Sequence, residues 1–205
     1  MKKRRTEAGF SLIEAIVVVA IILIMAAAAI IQIAPTLKGA KSQTALETAL
    51  GQMRRYHEAA VDQRIIYELE FVAPRTINVY QITYDTTTGK MIPLEVSSID
   101  MPVETQFLCV PGIPTTETTV PDGLGDGKTA INFALDYGGG QNTVYFQKDG
   151  RATDANGRLN NGVLYIAQTG DLSSSKAITV LGATGRVKGW RLVVASDGTS
   201  NWRAL

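Results

Sequence analysis

The stretch that decides the fold is Gly9-Phe10-Ser11-Leu12-Ile13-Glu14, which leads into the uncharged, apolar residues 15–31. The basic cluster Lys2-Lys3-Arg4-Arg5 stands a few residues before it. A helix over residues 10–34 would be about 37 Å long, which is enough to cross a hydrocarbon core of ~30 Å. Lys and Arg hold the end of a span on the cytoplasmic side. The sequence therefore predicts a membrane helix over residues 10–35 with a cytoplasmic N-terminus.

One carboxylate, Glu14, interrupts this apolar segment. A charge near the bilayer interior costs at least about 2.5 kcal/mol, so such a residue needs a partner and is a functional candidate. The nearest source of positive charge is the chain's own N-terminal region.

The order of residues around the apolar segment argues against an ordinary secretory signal, which is cleaved after its apolar region. Here the small residues Ala26-Ala27-Ala28-Ala29 continue into further apolar sequence. Leader charge, Gly9, Phe10 and Glu14 instead resemble the class III leader of type IV pilins and type II secretion pseudopilins. The resemblance implies that a prepilin peptidase removes residues 1–9 and methylates the amine of Phe10. An uncleaved signal anchor is the alternative.

The same resemblance implies a role in assembly for Glu14, which falls at the fifth position after the cleavage site. In a filament, Glu14 of one subunit would neutralise the Phe10 amine of its neighbour. At low local dielectric this attraction is strong and an unpaired charge is costly. The expected partners are the prepilin peptidase, other pilin or pseudopilin subunits and the bacterial inner membrane.

The rest of the chain is expected to form one domain. Without the leader, the chain carries 16 basic and 18 acidic residues. Helical spacing of apolar residues predicts that an amphipathic helix over residues 36–64 continues the stem, with a kink or turn at Pro35. Residues 65–205 alternate short β-rich runs with turn residues, so a long helix on an antiparallel β domain, an α+β fold, is predicted. Strands are expected at 65–71, 76–83, 105–110, 130–136, 143–147, 163–168, 177–181 and 189–195.

The C-terminal half adds a second resemblance. The strand–turn order of residues 144–190, with Gly185-Arg186-Val187-Lys188 as its final turn, looks like the GspH/FimT-type minor pseudopilins. Residues 84–127 have no counterpart in that resemblance. Some FimT-like members bind DNA through a Gly-Arg-x-Arg/Lys segment, so Arg186, Lys188 and Arg191 are candidate DNA contacts. The alternative is that these cations are ordinary solvated residues of a turn and a strand.

Residues that commonly support catalysis are few in this chain. His57 is the one histidine and Cys109 the one cysteine. His57 is expected to be structural, and Cys109 to be a small buried apolar residue or to form an intermolecular disulfide. Asp122 and Asp126 in a glycine-rich loop leave a weak calcium alternative. We therefore predict no enzyme, no cofactor and no metal site.

Two main functions remain, and both are filament functions. The chain is predicted to be a minor subunit that assembles into, primes or caps a type II secretion pseudopilus or a type IV pilus. The alternative is a DNA-binding minor pilin for natural transformation. A third possibility is a membrane-anchored protein that never polymerises.

Overall fold

The computed structural model describes residues 11–87, 90–116 and 118–205, and for residues 28–38 it describes the backbone alone. The chain divides into two compact units, Met1–Lys38 and Gly39–Leu205. Secondary structure in the described residues consists of one long helix followed by short antiparallel strands. The predicted α+β class is confirmed.

The helix α1 spans Leu12–Gln63. It continues through Pro35, so a turn at that residue is wrong, and the alternative of a kink stays a prediction. The helix ends where Arg64 adopts a left-handed conformation with φ of 55°, which is a common way for a helix to stop. Among the described residues, no helix combines the length and the apolarity that crossing a membrane requires.

In the part of the chain that the structure describes, eleven strands follow α1, and they run antiparallel to their neighbours. In chain order they are β1 (Ile66–Val72), β2 (Thr76–Asp85), β3 (Lys90–Asp100), β4 (Gln106–Phe107), β5 (Ile131–Asn132), β6 (Thr143–Phe146), β7 (Ala152–Thr153), β8 (Gly162–Gln168), β9 (Asp171–Leu181), β10 (Arg186–Val194) and β11 (Ser200–Ala204). The first sheet has the order β3-β2-β1-β6-β7. The second has the order β11-β10-β9-β8-β4, and β5 also pairs with β8.

The main core joins the C-terminal part of α1 to one face of each sheet. Of the apolar residues that recur at helical spacing in the sequence, Leu50 is partly buried and the others are buried: Leu46, Ala49, Met53, Tyr56 and Ala60. They share a cluster with alternate residues of the first sheet, such as Leu69 and Phe71, and of the second sheet, such as Ile178 and Val180. Alternation along β1, the first half of β2 and β6 gives the first sheet one apolar face, whereas β8 and most of β9 in the second sheet are buried on both faces.

A smaller core lies on the other face of the second sheet. Its buried members are Ile113, Val163, Tyr165, Ala177 and Leu192. Ile113 belongs to residues 108–128, a segment with no strand in its described part and one short 3-10 turn, Pro121–Gly123. We call residues 108–128 the covering segment, because it shields this face of the sheet from water.

Several strand predictions need correction. The predicted strand 130–136 is interrupted, because Ala134 has a left-handed φ of 58° and a 3-10 turn follows at Leu135–Tyr137. The predicted strand 105–110 shrinks to β4. β3, β7 and β11 were not predicted, so β10 is followed by a further strand and the Gly185 turn does not join the last strand pair.

Candidate functional site

Glu14 lies in the first turn of α1 and is exposed. The first amide groups of a helix have no partner within it, so a carboxylate there is favoured by the helix dipole. The predicted processing residues Gly9 and Phe10 lie outside the described residues. The structure therefore places the assembly candidate at a helix start and leaves the cleavage prediction untested.

The N-terminal part of α1 exposes large apolar side chains over its whole described length. They run from Leu12, which is 79% exposed, to Met25, which is 67% exposed. Continuous apolar surface of this kind is rare on monomeric soluble proteins and marks a contact surface. This segment therefore needs a lipid or protein environment.

Two of the predicted DNA contacts, Arg186 and Lys188, alternate with a buried residue and share one face of β10. Arg186 Nη2 lies 3.4 Å from Asp122 Oδ2, and Lys188 Nζ lies 3.5 Å from Asp122 Oδ1. The Thr179 hydroxyl donates to Asp122 Oδ2 at 2.7 Å. Lys188 Nζ is also 4.0 Å from the centre of the Trp190 ring, a cation–π distance. The covering segment thus partly neutralises both cations.

The glycine of the predicted Gly-Arg turn packs against α1. Gly185 has a φ of 60°, and a Cβ on it would collide with the carbonyl oxygen of Gly150 and with the His57 ring. His57 Nε2 is 2.8 Å from that oxygen and donates to it, since a carbonyl can only accept. The His57 ring also lies edge-on to Phe146, with 5.2 Å between ring centres. In this structure, His57 and Gly185 hold the turn against the helix.

The third candidate, Arg191, lies on the opposite face of β10. Directly opposite residues of an antiparallel pair share a face. Arg191 is paired with Lys176 of β9 on one side and with Arg203 of β11 on the other. We call Lys176, Arg191 and Arg203 the cation row. Within the described residues, no carboxylate lies within ion-pair distance of any of the three.

Lys176 is the unusual member of the cation row, because its side chain is only 8% exposed. Burial lowers the pKa of Lys176, the positive charge of Arg191 lowers it further, and Asp171 partly offsets both. Adjacent like charges on neighbouring strands are destabilising. Lys176 and Arg203 were missed by sequence reasoning, because only the pairing register brings them beside Arg191.

The remaining candidates, Asp126 and Cys109, lie in surroundings that suit a structural role. Asp126 Oδ1 accepts hydrogen bonds from the backbone amides of Lys128 and Thr129, both at 2.9 Å. Burial alone would raise the pKa of Asp126, but these bonds and one from the Thr129 hydroxyl lower it below its usual value. Cys109 is half-buried, and burial raises the pKa of its thiol to about 12 with a smaller effect from Asp126. A thiol of that pKa is protonated at neutral pH and is a poor nucleophile.

Comparison with known proteins supports the N-terminal prediction. Residues 4–30 match the family model described as the prokaryotic N-terminal methylation motif. Comparison with curated proteins gave no significant match. Among solved structures, the minor pseudopilin EpsH from the type 2 secretion system of Vibrio cholerae aligns with a TM-score of 0.40 and 11% identity. The alignment covers 80% of this chain and 97% of EpsH.

A structural likeness at that level carries no argument about function. The methylation motif is independent of it and falls on the residues that the sequence singled out. The leader resemblance is therefore confirmed: this chain carries the N-terminal methylation motif, the leader type shared by type IV pilins and type II secretion pseudopilins.

Proposed function

We propose that this chain is a minor pilin or pseudopilin subunit. A prepilin peptidase cleaves it between Gly9 and Phe10 and methylates Phe10. The apolar part of α1 anchors the subunit in the inner membrane, with the β domain in the periplasm. From there it enters, primes or caps a type II secretion pseudopilus or a type IV pilus.

The methylation motif over residues 4–30 carries this proposal. The exposed apolar surface from Leu12 to Met25 supports it, because both a membrane and a filament core would cover that surface. Glu14 is the only charged residue between Leu12 and Leu37. Once that surface is covered, Glu14 needs a cation, and the amine of a neighbouring Phe10 is the partner proposed here.

The test compares the full chain with two carboxylate variants, Glu14→Ala and Glu7→Ala, produced in cells that assemble filaments. The mass of the N-terminal peptide reports cleavage and methylation, and the amount of chain in sheared filaments reports incorporation. We expect both variants to be cleaved. Incorporation should fall at least tenfold, equivalent to about 1.4 kcal/mol, for Glu14→Ala only.

Two results would contradict the proposal. Normal incorporation of Glu14→Ala would remove the pairing role of this carboxylate. A mature chain that keeps residues 1–9 would instead favour a membrane-anchored protein that never polymerises. Glu7 is removed with the leader, so its variant controls for an effect of losing a negative charge on insertion and cleavage, before assembly begins.

A second candidate function is DNA binding, as in FimT-like minor pilins, and the cation row is the observation that favours it. Neutralising a phosphate releases counterions, so Arg191 and Arg203, the two exposed members of the cation row, suit a phosphate backbone. Arg186 and Lys188 suit it less well because Asp122 lies between them. The proposed contact therefore includes Arg191 and moves from the Gly185 turn to the opposite face of β10.

The DNA test measures fluorescence anisotropy of a labelled duplex with the full chain in detergent, at about 50 and 200 mM salt. The double variant Arg191→Gln/Arg203→Gln should lose binding and its salt dependence. The matched double variant Arg186→Gln/Lys188→Gln should keep most of it. No binding by the unmodified chain at 50 mM salt would remove this candidate.

A further inference from the structure

The outer face of the first sheet, which points away from α1, contains a pocket that the filament proposal does not use. Its volume is about 370 Å³, at the lower end of the range for small-molecule pockets. Its apolar walls come from three strands, β1, β2 and β3, and include Ile66, Ile82, Met91 and Pro93. Register explains the arrangement, because Ile66 is opposite Ile82 and Ile82 is opposite Pro93.

The polar part of this pocket is formed by Glu68 and Tyr145, which are opposite each other on β1 and β6. Burial raises the pKa of Glu68, a hydrogen bond from Tyr145 partly offsets this, and the nearby Glu70 raises the pKa again. No cation among the described residues lies within ion-pair distance of Glu68. A half-desolvated carboxylate without a counter-charge is costly and is complementary to a cation.

Asp154 and Glu95 are two other carboxylates near Glu68 on this face of the first sheet, and among the described residues only Asp154 has a cation partner. Asp154 also lines the pocket, but Arg158 holds it at 2.6 Å. Glu95 of β3 lies opposite Tyr80 of β2, which in turn lies opposite Glu68, so Glu95 extends the negative charge toward the sheet edge. In the described part of the chain, Glu68 in the pocket and Glu95 on β3 therefore lie on this face without a cation partner.

Apolar surface continues beyond the pocket along the β2–β3 hairpin. Met91, a pocket wall, is 59% exposed, and its cross-strand neighbour Tyr84 is 62% exposed. β3 is also the edge strand of its sheet. A small amine would leave this surface uncovered, whereas a polypeptide with apolar side chains would cover it.

We propose that this pocket binds a lysine or arginine side chain of a partner protein, presented by a segment with apolar residues on either side. The methylene groups of that side chain contact Ile66, Ile82, Met91 and Pro93, as long cationic side chains do on apolar surface. Its charged end pairs with Glu68, beside the Tyr145 hydroxyl. The neighbouring apolar residues of the partner cover Tyr84 and the exposed part of Met91.

The probe is a fluorescein-labelled peptide with a central lysine between alternating valine and threonine residues. Its matched control replaces the lysine with norleucine, which keeps the apolar stem and removes the charge. Binding to the full chain in detergent is measured by anisotropy at low and high salt. We expect the lysine peptide to bind at least tenfold more tightly than the norleucine peptide, with the difference shrinking at high salt.

Variants of the chain locate the contact. Glu68→Gln should abolish the preference for lysine, whereas Glu58→Gln, a matched loss of charge on exposed α1 surface, should leave it unchanged. Met91→Lys places a competing cation on the pocket wall at a largely exposed position. It should weaken binding of the lysine peptide and leave binding of the norleucine peptide unchanged. A lysine preference that survives Glu68→Gln, or its absence up to millimolar peptide, would overturn the proposal. If the chain self-associates and this requires Glu68, the occupant of the pocket is a second copy of the chain and the proposal of a different partner protein is overturned.

Discussion

Replacing Gly185 with alanine tests how one residue joins the β9–β10 turn to α1. A left-handed φ costs alanine about 1 kcal/mol, and the collision with Gly150 and His57 adds about 1–3 kcal/mol of overpacking. We expect Gly185→Ala to lower the free energy of unfolding by roughly 2–4 kcal/mol, measured by urea denaturation. Gly198→Ala is the control, because its φ is 82° and nothing lies within 4 Å of the added carbon. Equal losses in both variants would mean that the contact with His57 does not constrain the turn.

Asp154 is expected to make the stability of the domain depend on pH in the acidic range. Its side chain is fully buried, Arg158 Nη2 lies 2.6 Å away, and the amides of Asn156 and Arg158 donate to it at 2.9 Å. Burial alone would raise the pKa of Asp154, but these hydrogen bonds dominate and lower it below 3.8. A carboxylate whose pKa is lower in the folded state stabilises the fold at pH above its unfolded-state pKa. That stabilisation is lost as the pH falls through the folded-state pKa.

The corresponding prediction concerns Asp154→Asn at two pH values. At pH 7 the variant should lose about 1.5–3 kcal/mol of unfolding free energy, the usual value for hydrogen bonds to a charged group. The difference from the unmodified chain should shrink at the most acidic pH at which both chains still fold. Asp149→Asn is the control, since its pair with Arg151 is 51% exposed on the carboxylate side and should contribute little at either pH. A loss that is independent of pH would show that packing, and not charge, is what Asp154 contributes.

At the scale of elements, the C-terminal part of α1 organises the main core. Met53 is fully buried in the cluster that joins the helix to both sheets, whereas Glu58 on the same helix is exposed. We expect Met53→Ala to cost about 2–5 kcal/mol through lost burial and the cavity left behind. Glu58→Ala should change stability by less than about 0.5 kcal/mol. Urea denaturation of both variants checks the prediction, and a small effect of Met53→Ala would mean that the sheets repack without the helix.

Elements with a periodic pattern were predictable from the sequence, and the misses have local causes. The C-terminal part of α1 and the strands near residues 66–72 and 143–146 follow clear apolar periodicity, and the strand near 162–168 is a continuous apolar run. β3 reads Lys-Met-Ile-Pro-Leu-Glu-Val, and Pro93 argues against a strand unless the strand lies at a sheet edge, which is where β3 lies. β11 is short and mostly exposed, so it has no apolar face to detect.

The sequence predicted a candidate site when its residues are consecutive in the chain, and missed sites that are assembled from several strands. The methylation motif occupies one short stretch, and a family model confirms it. The cation row and the pocket at Glu68 draw residues from three or more strands, so they depend on register. Arg191 is three residues from Lys188, so a strand places the two on opposite faces, which is where the structure puts them on β10. Only the register shows that Lys176 and Arg203 lie beside Arg191.

At the scale of the whole molecule, folding energy and filament contacts are predicted to come from different parts of the chain. Wherever the structure describes side chains, the buried ones lie between Ser42 and Leu192. The apolar side chains from Leu12 to Met25 are exposed and contribute nothing to that core. A fragment that begins at Gly39 should therefore keep every side chain that the structure describes as buried.

We therefore expect a fragment of residues 39–205 to fold cooperatively, with the same urea midpoint as the full chain in the same detergent. A fragment of residues 51–205 is the control, because it lacks Ala45, Leu46 and Ala49, which are all fully buried in the main core. Losing one large buried side chain typically costs about 2–5 kcal/mol, which is a large part of the total stability of a domain. The shorter fragment should therefore be strongly destabilised or unfolded. A lower midpoint for residues 39–205 would mean that the apolar N-terminal segment also stabilises the domain, and the division between filament contacts and folding core would be wrong.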